Sequence, residues 1–138
     1  MELDQVTGAI VDSAMRLHTA LGPGMLESVY EKCLTHELVK RGLKVEAQVW
    51  LPVIYDGVKI DGGYRIDLLV EGGVLVELKV VEQILDVHKA QLLSYLKLSD
   101  KPVGLLINFN VVHLRDGIRR LVNNFRTSAS PASPAVVV

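Results

Sequence analysis

The chain has 138 residues, 49% of them hydrophobic, and a formal net charge of −1. That length suits one compact domain able to bury a core without disulfides or a structural metal. The near-neutral charge excludes a general basic surface for nucleic acid, but not a local basic patch or a site where a divalent cation supplies the positive charge.

No apolar run approaches the roughly 20 residues of a membrane span. The start, Met1-Glu2-Leu3-Asp4, lacks the basic segment and apolar stretch of a secretory signal. The single Cys33 cannot form an internal disulfide. A cytoplasmic protein is expected.

In chain order, Ile10, Ala14, Leu17 and Leu21 recur at helical spacing and predict an amphipathic helix over Asp4 to Leu21. Gly22-Pro23-Gly24 breaks it. A second helix is expected from Met25 to Arg41, with Leu26, Val29, Cys33 and Leu34 as its apolar stripe and Gly42 as its stop. The alternation of Val45, Ala47, Val49 and Leu51 with polar neighbours predicts a half-buried strand that Pro52 bends or ends. Asp56-Gly57 and Gly62-Gly63 read as turns. Tyr64 to Val70 and Val74 to Val80 read as strands joined by Glu71-Gly72-Gly73. Asp86, a candidate N-cap, opens a third helix to Leu98. Val103 to Phe109 reads as a strand, and Ile118, Leu121, Val122 and Phe125 as a short terminal helix. A single domain over 1–126 is expected, with a Ser-, Pro- and Ala-rich disordered tail over 127–138. A meander followed by strand–helix–strand implies an α/β fold with a mixed sheet and helices packed on it.

The hairpin around Gly72-Gly73 carries the strongest chemical signal. Strand alternation turns Leu75, Glu77 and Lys79 to one face, and Arg65, Asp67 and Leu69 to one face of the preceding strand. A three-residue loop sets Val70 opposite Val74 and therefore Asp67 opposite Glu77. Such neighbours have β-carbons about 4.5–5.5 Å apart. Two facing carboxylates repel, so one takes up a proton or a cation neutralises both. Their hard oxygens suit Mg²⁺ or Mn²⁺. Lys79, on the same face, can act on a water or stabilise charge on a phosphate. The competing reading is a solvated strand face with mixed charges. Leu69 and Leu75 on that face count against it.

Glu27 lies in the first turn of the second helix, where an acid also complements the helix dipole. His88, Gln91 and Tyr95 share one face of the third helix. Gln91 could hold a water or a phosphate oxygen, whereas no ligand role is needed for His88. Cys33 reads as core. No Gly-rich phosphate loop, nucleophile elbow or zinc spacing is present in the sequence.

Five blocks in order carry a resemblance: Gly24-Met25-Leu26-Glu27-Ser28-Val29-Tyr30, Tyr64 to Val70, Val76-Glu77-Leu78-Lys79, His88 to Leu96, and Leu105 to Phe109. Together they resemble the GxxExxY proteins, a family similar to the PD-(D/E)XK nuclease superfamily. The likeness covers roughly Val6 to Phe125. It implies a restriction-endonuclease-like core, αβββαβ, with a mixed central sheet flanked by helices. It implies catalytic roles for Glu27, Asp67, Glu77, Lys79 and Gln91. It further implies that Asp67, Glu77 and the Leu78 carbonyl bind Mg²⁺ or Mn²⁺ while Lys79 acts on the attacking water. One departure is Ile66, which stands where the superfamily's name has proline. The expected function is Mg²⁺-dependent hydrolysis of phosphodiester bonds in nucleic acid, DNA more than RNA. The alternative is a non-catalytic nucleic-acid- or protein-binding module on the same fold. A homodimer would help so small a domain grip a duplex.

Overall fold

The computed structural model describes residues 1–124. The elements are α1 (Leu3–Leu21), α2 (Glu27–Lys40), β1 (Val45–Tyr55), β2 (Val58–Val70), β3 (Val74–Lys79), α3 (Asp86–Ser99), β4 (Val103–Asn108) and β5 (Ile118–Val122), with a 3-10 turn at Leu114–Gly117 before β5. The expected tail and the domain boundary at 126 lie outside the described residues. No described helix is long and apolar enough to cross a membrane.

The strands form one five-stranded sheet in the order β1-β2-β3-β4-β5. Every neighbouring pair is antiparallel except β3 and β4, which are parallel and joined through α3. A parallel pair needs such a crossover. The run α2-β1-β2-β3-α3-β4 is the expected αβββαβ core, and the mixed sheet between helices is borne out.

The sheet is apolar on both faces because helices cover both. On one face Val6, Ile10 and Ala14 of α1 and Tyr30, Leu34 and Leu38 of α2 pack on Leu68, Val70, Val76, Leu78, Leu105 and Ile107. On the other, Leu92, Tyr95 and Leu96 of α3 pack on Leu51, Ile66, Leu75 and Leu106. Of the expected stripe of α2, Leu34 and Cys33 pack against this core, Leu26 is exposed just before the helix, and Tyr30 and Leu38 are the further buried positions. Tyr30 is fully buried and stacks on Phe109 with ring centroids 4.3 Å apart. Its hydroxyl donates to the Gly22 carbonyl and accepts from the Met25 N–H. One tyrosine thus ties the Gly22-Pro23-Gly24 turn to the start of α2.

Three expectations need correction. Residues from Ile118 to Val122 form an antiparallel strand on β4, not a helix. Three apolar positions at helical spacing cannot outweigh the backbone bonds that the edge of β4 offers a segment with β-branched ends. Phe125, counted toward that helix, lies outside the described residues. Gly62-Gly63 is no turn but part of β2, while Pro52 bends β1, one of its two expected effects, and the strand runs on to Tyr55. The two features meet at one bulge, where the pairing shifts between Leu51 and Val53. Proline is tolerated there because β1 is an edge strand. Gly63 has φ +66°, and a Cβ on it would collide with the Leu51 carbonyl oxygen. Finally, Asp86 is the first residue of α3 rather than its cap. The cap is made by His88, whose Nδ1 accepts from the Leu85 N–H at 2.9 Å.

Candidate active site

The three-residue loop sets the register that the sequence implies: Val70 faces Val74, Leu69 faces Leu75, and Leu68 faces Val76. The ladder ends there. One level further, side chains replace backbone pairing. The Asp67 N–H donates to Glu77 Oε1 at 2.9 Å, and the Leu78 N–H donates to Asp67 Oδ2 at 2.8 Å. The two carboxylates are thereby laced to each other's strands.

Why the strands part at this level is visible in β1. Gln48, opposite the missing Asp67 position, has φ +56°. Its neighbours also change sides. Val45 packs toward α1 and α2, whereas Val49 packs toward α3. In β2, Ile66 and Leu69 both face α3, while Leu68 faces the other helices. Strict alternation would not allow residues three apart to share a face. Hence the expectation that Arg65, Asp67 and Leu69 line one face fails between Arg65 and Leu69. The strand pair switches faces at Gln48 and Asp67, and the sheet opens there.

Four carboxylates occupy this opening. Glu77 is 6% exposed, and burial, reinforced by the charge of Asp67, pushes its pKa up to about 8. Burial likewise raises Asp67, against the Leu78 N–H bond and the Lys79 charge, which lower it. Glu27 and Glu31, one turn apart on α2, are both raised by burial and then by Asp67. Lys79 Nζ reaches Gln91 Oε1 of α3 at 3.4 Å. Glu27, Asp67, Glu77, Lys79 and Gln91 therefore come from α2, β2, β3 and α3 to one region. His88 turns back to its own helix end.

Sequence reasoning missed Glu31 and Gln48. The Gln48 amide donates to Glu31 Oε1 at 2.6 Å and also acts on the Asp67 carboxyl, favouring its charged form. Glu31 carried one readable signal, its position four residues after Glu27 on the same helix face. Gln48 carried none, because its role depends on a left-handed backbone in mid-strand.

Residues 4–121 match the family model described as the PD-(D/E)XK nuclease superfamily. The chain belongs to that superfamily. No curated protein and no solved structure matches it significantly. Membership points to nuclease-type chemistry on nucleic acid. The matched stretch includes Asp67, Glu77 and Lys79, the residues that the sequence reading expects to carry the chemistry.

The donors of the site are hard oxygens, and burial first, with neighbouring carboxylate charge at Glu27, Glu31 and Glu77, disfavours their bare ionised forms. A divalent cation fits such a set. Among the described residues, no three His, Cys, Asp or Glu side chains are gathered into a ready cage. Asp67 and Glu77 would supply two side-chain oxygens, leaving backbone, water or substrate to complete the shell.

Proposed function

We propose that the protein is a Mg²⁺- or Mn²⁺-dependent nuclease of the GxxExxY type, hydrolysing phosphodiester bonds, with DNA preferred to RNA. The observation that carries the reading is the laced Asp67–Glu77 pair with Lys79 beside it, held by Gln91. Asp67, Glu77 and the Leu78 carbonyl would hold the ion. Bound there, a divalent ion supplies an activated water and positive charge for the phosphate.

The chain's own groups do the rest. Lys79 Nζ orients the attacking water and offsets charge building on the phosphate oxygens. Gln91 fixes the long Lys79 side chain and so lowers the entropy lost in positioning it. Glu27 and Glu31 orient waters at the α2 side of the opening. The Gln48 amide keeps Glu31 and Asp67 from drifting apart.

The test is a cleavage panel of single-stranded, duplex and branched DNA and of RNA with either metal. Metal-dependent cleavage of at least one substrate, abolished by Asp67→Ala and by Lys79→Ala, is expected. No cleavage of any substrate, or equal cleavage by the variants, would contradict it.

The net charge of −1 favours one competing reading, a binding module without catalysis. Metal-independent nucleic-acid or protein binding that survives Asp67→Ala would support that module instead.

A further inference from the structure

Past Gln48 and Asp67, where the β2–β3 ladder has ended, β1 and β2 run on as a two-stranded arm whose exposed large apolar side chains include Trp50, Ile54, Tyr55 and Tyr64. Its base adjoins the carboxylates. Trp50 pairs across the strands with Arg65, and the Arg65 guanidinium lies over the indole ring, 5.2 Å from its centroid. Val49, Leu51 and Ile66 face α3, so Trp50 and Arg65 project from the opposite face, toward α2. Arg65 acts electrostatically on both Glu31 and Asp67, which ties it to the site. Trp50 remains 61% exposed although Arg65 covers one of its faces. It also lines a groove of about 310 Å³ with Pro52, Lys59, Asp61 and the Gly62-Gly63 backbone.

We propose that Trp50 and Arg65 form a stacking platform for an unpaired nucleobase next to the phosphate held at Asp67 and Glu77, so that the substrate is single-stranded or locally opened nucleic acid. The inference rests on the nuclease reading and names the substrate class of that site.

Three features favour this occupant over a second copy of the chain or another protein. An exposed indole backed by a guanidinium is a platform on which any base can stack, whatever the sequence. Arg65 over the indole and Lys59 in the adjoining groove outnumber that groove's acid, Asp61, which suits a phosphate backbone in a chain otherwise near neutral. The platform also adjoins the site, since Arg65 precedes Asp67 by two residues and acts electrostatically on it. A base in an intact duplex is covered on both faces, so the platform selects against fully paired nucleic acid.

The chain's single tryptophan is Trp50, so its emission reports this site alone. The experiment titrates the full chain, with Mg²⁺, against an oligothymidylate strand of phosphorothioate linkages, the matching oligouridylate, and the blunt duplex of the first. Strand binding is followed in parallel by anisotropy. Saturable quenching of Trp50 by a strand, and little by the duplex, is expected. Comparing the two strands shows whether DNA or RNA is the better source of the base. Trp50→Ala should weaken strand binding about tenfold, and Trp50→Phe should restore most of it.

A bound strand that leaves the emission unchanged would overturn the platform. So would wild-type affinity in Trp50→Ala, an emission change that follows protein dilution instead of nucleic acid, or no strand binding at all. The two readings fail separately. Wild-type KM and kcat for cleavage by Trp50→Ala would end the platform and leave the nuclease standing. Quenching by a strand that the unmodified chain never cleaves would end the nuclease and leave the platform.

Discussion

Glu77 is the residue on which burial and function pull hardest against each other. Its pKa of about 8 compares with an ordinary value of 4.5. An unfolded chain releases this proton near 4.5, while the folded protein keeps it until about 8. Between those values the folded state binds more protons, so raising the pH destabilises it. Glu27, Glu31 and Asp67 shift the same way and add to the slope. The metal-free protein should therefore melt at progressively lower temperature as pH rises through that window, and Glu77→Gln should flatten the dependence. A melting temperature that rises over the window, or a slope that Glu77→Gln leaves unaltered, would contradict this origin. Lys79 makes a different prediction. If it acts on water and phosphate rather than on folding, Lys79→Met should cut kcat by roughly 10²–10⁴-fold, the usual range for a positioned acid–base group. Thermal melts should stay near wild type, and steady-state kinetics beside calorimetry check both halves.

Elements create the site by failing to be regular. The β1–β2 pair switches faces at Gln48 and Asp67, and the arm bends again where Pro52 meets Gly62-Gly63. Gly63 is required there twice, for its positive φ and for its approach to the Leu51 carbonyl. Gly63→Ala should cost at least about 1 kcal/mol in urea unfolding, more than Gly72→Ala, where φ is likewise positive at +64° but the added Cβ would meet nothing within 4 Å. Equal effects would remove the close-approach argument. The turn before α2 offers a parallel case. Tyr30→Phe keeps the stacking on Phe109 but strands the Gly22 carbonyl and the Met25 N–H. A loss of about 1–3 kcal/mol in stability is expected. A fall in cleavage larger than the unfolded fraction explains would show that the turn also aims Glu27.

At the scale of the whole molecule, what the sequence revealed was local or periodic. The facing of Asp67 and Glu77 followed from a three-residue loop and a period of two, because both act within ten residues. The αβββαβ order followed from alternation giving way to helical spacing and back. Glu31, Gln48 and the Trp50–Arg65 contact did not follow. Each depends on how α2 and β1 lie against β2, and on a left-handed residue in mid-strand that no pattern announces. The terminal strand was misread for a related reason, since a five-residue segment takes its conformation from the free edge of β4. What unites the molecule is a sheet that is apolar on both faces except where it opens onto four carboxylates. The central claim is that this opening holds a cation. Calorimetric titration of Mn²⁺ into the wild-type chain and into Asp67→Ala tests it most directly. Saturable binding by the wild type, lost in the variant, is predicted; no binding by the wild type, or the same binding by both, would contradict the account.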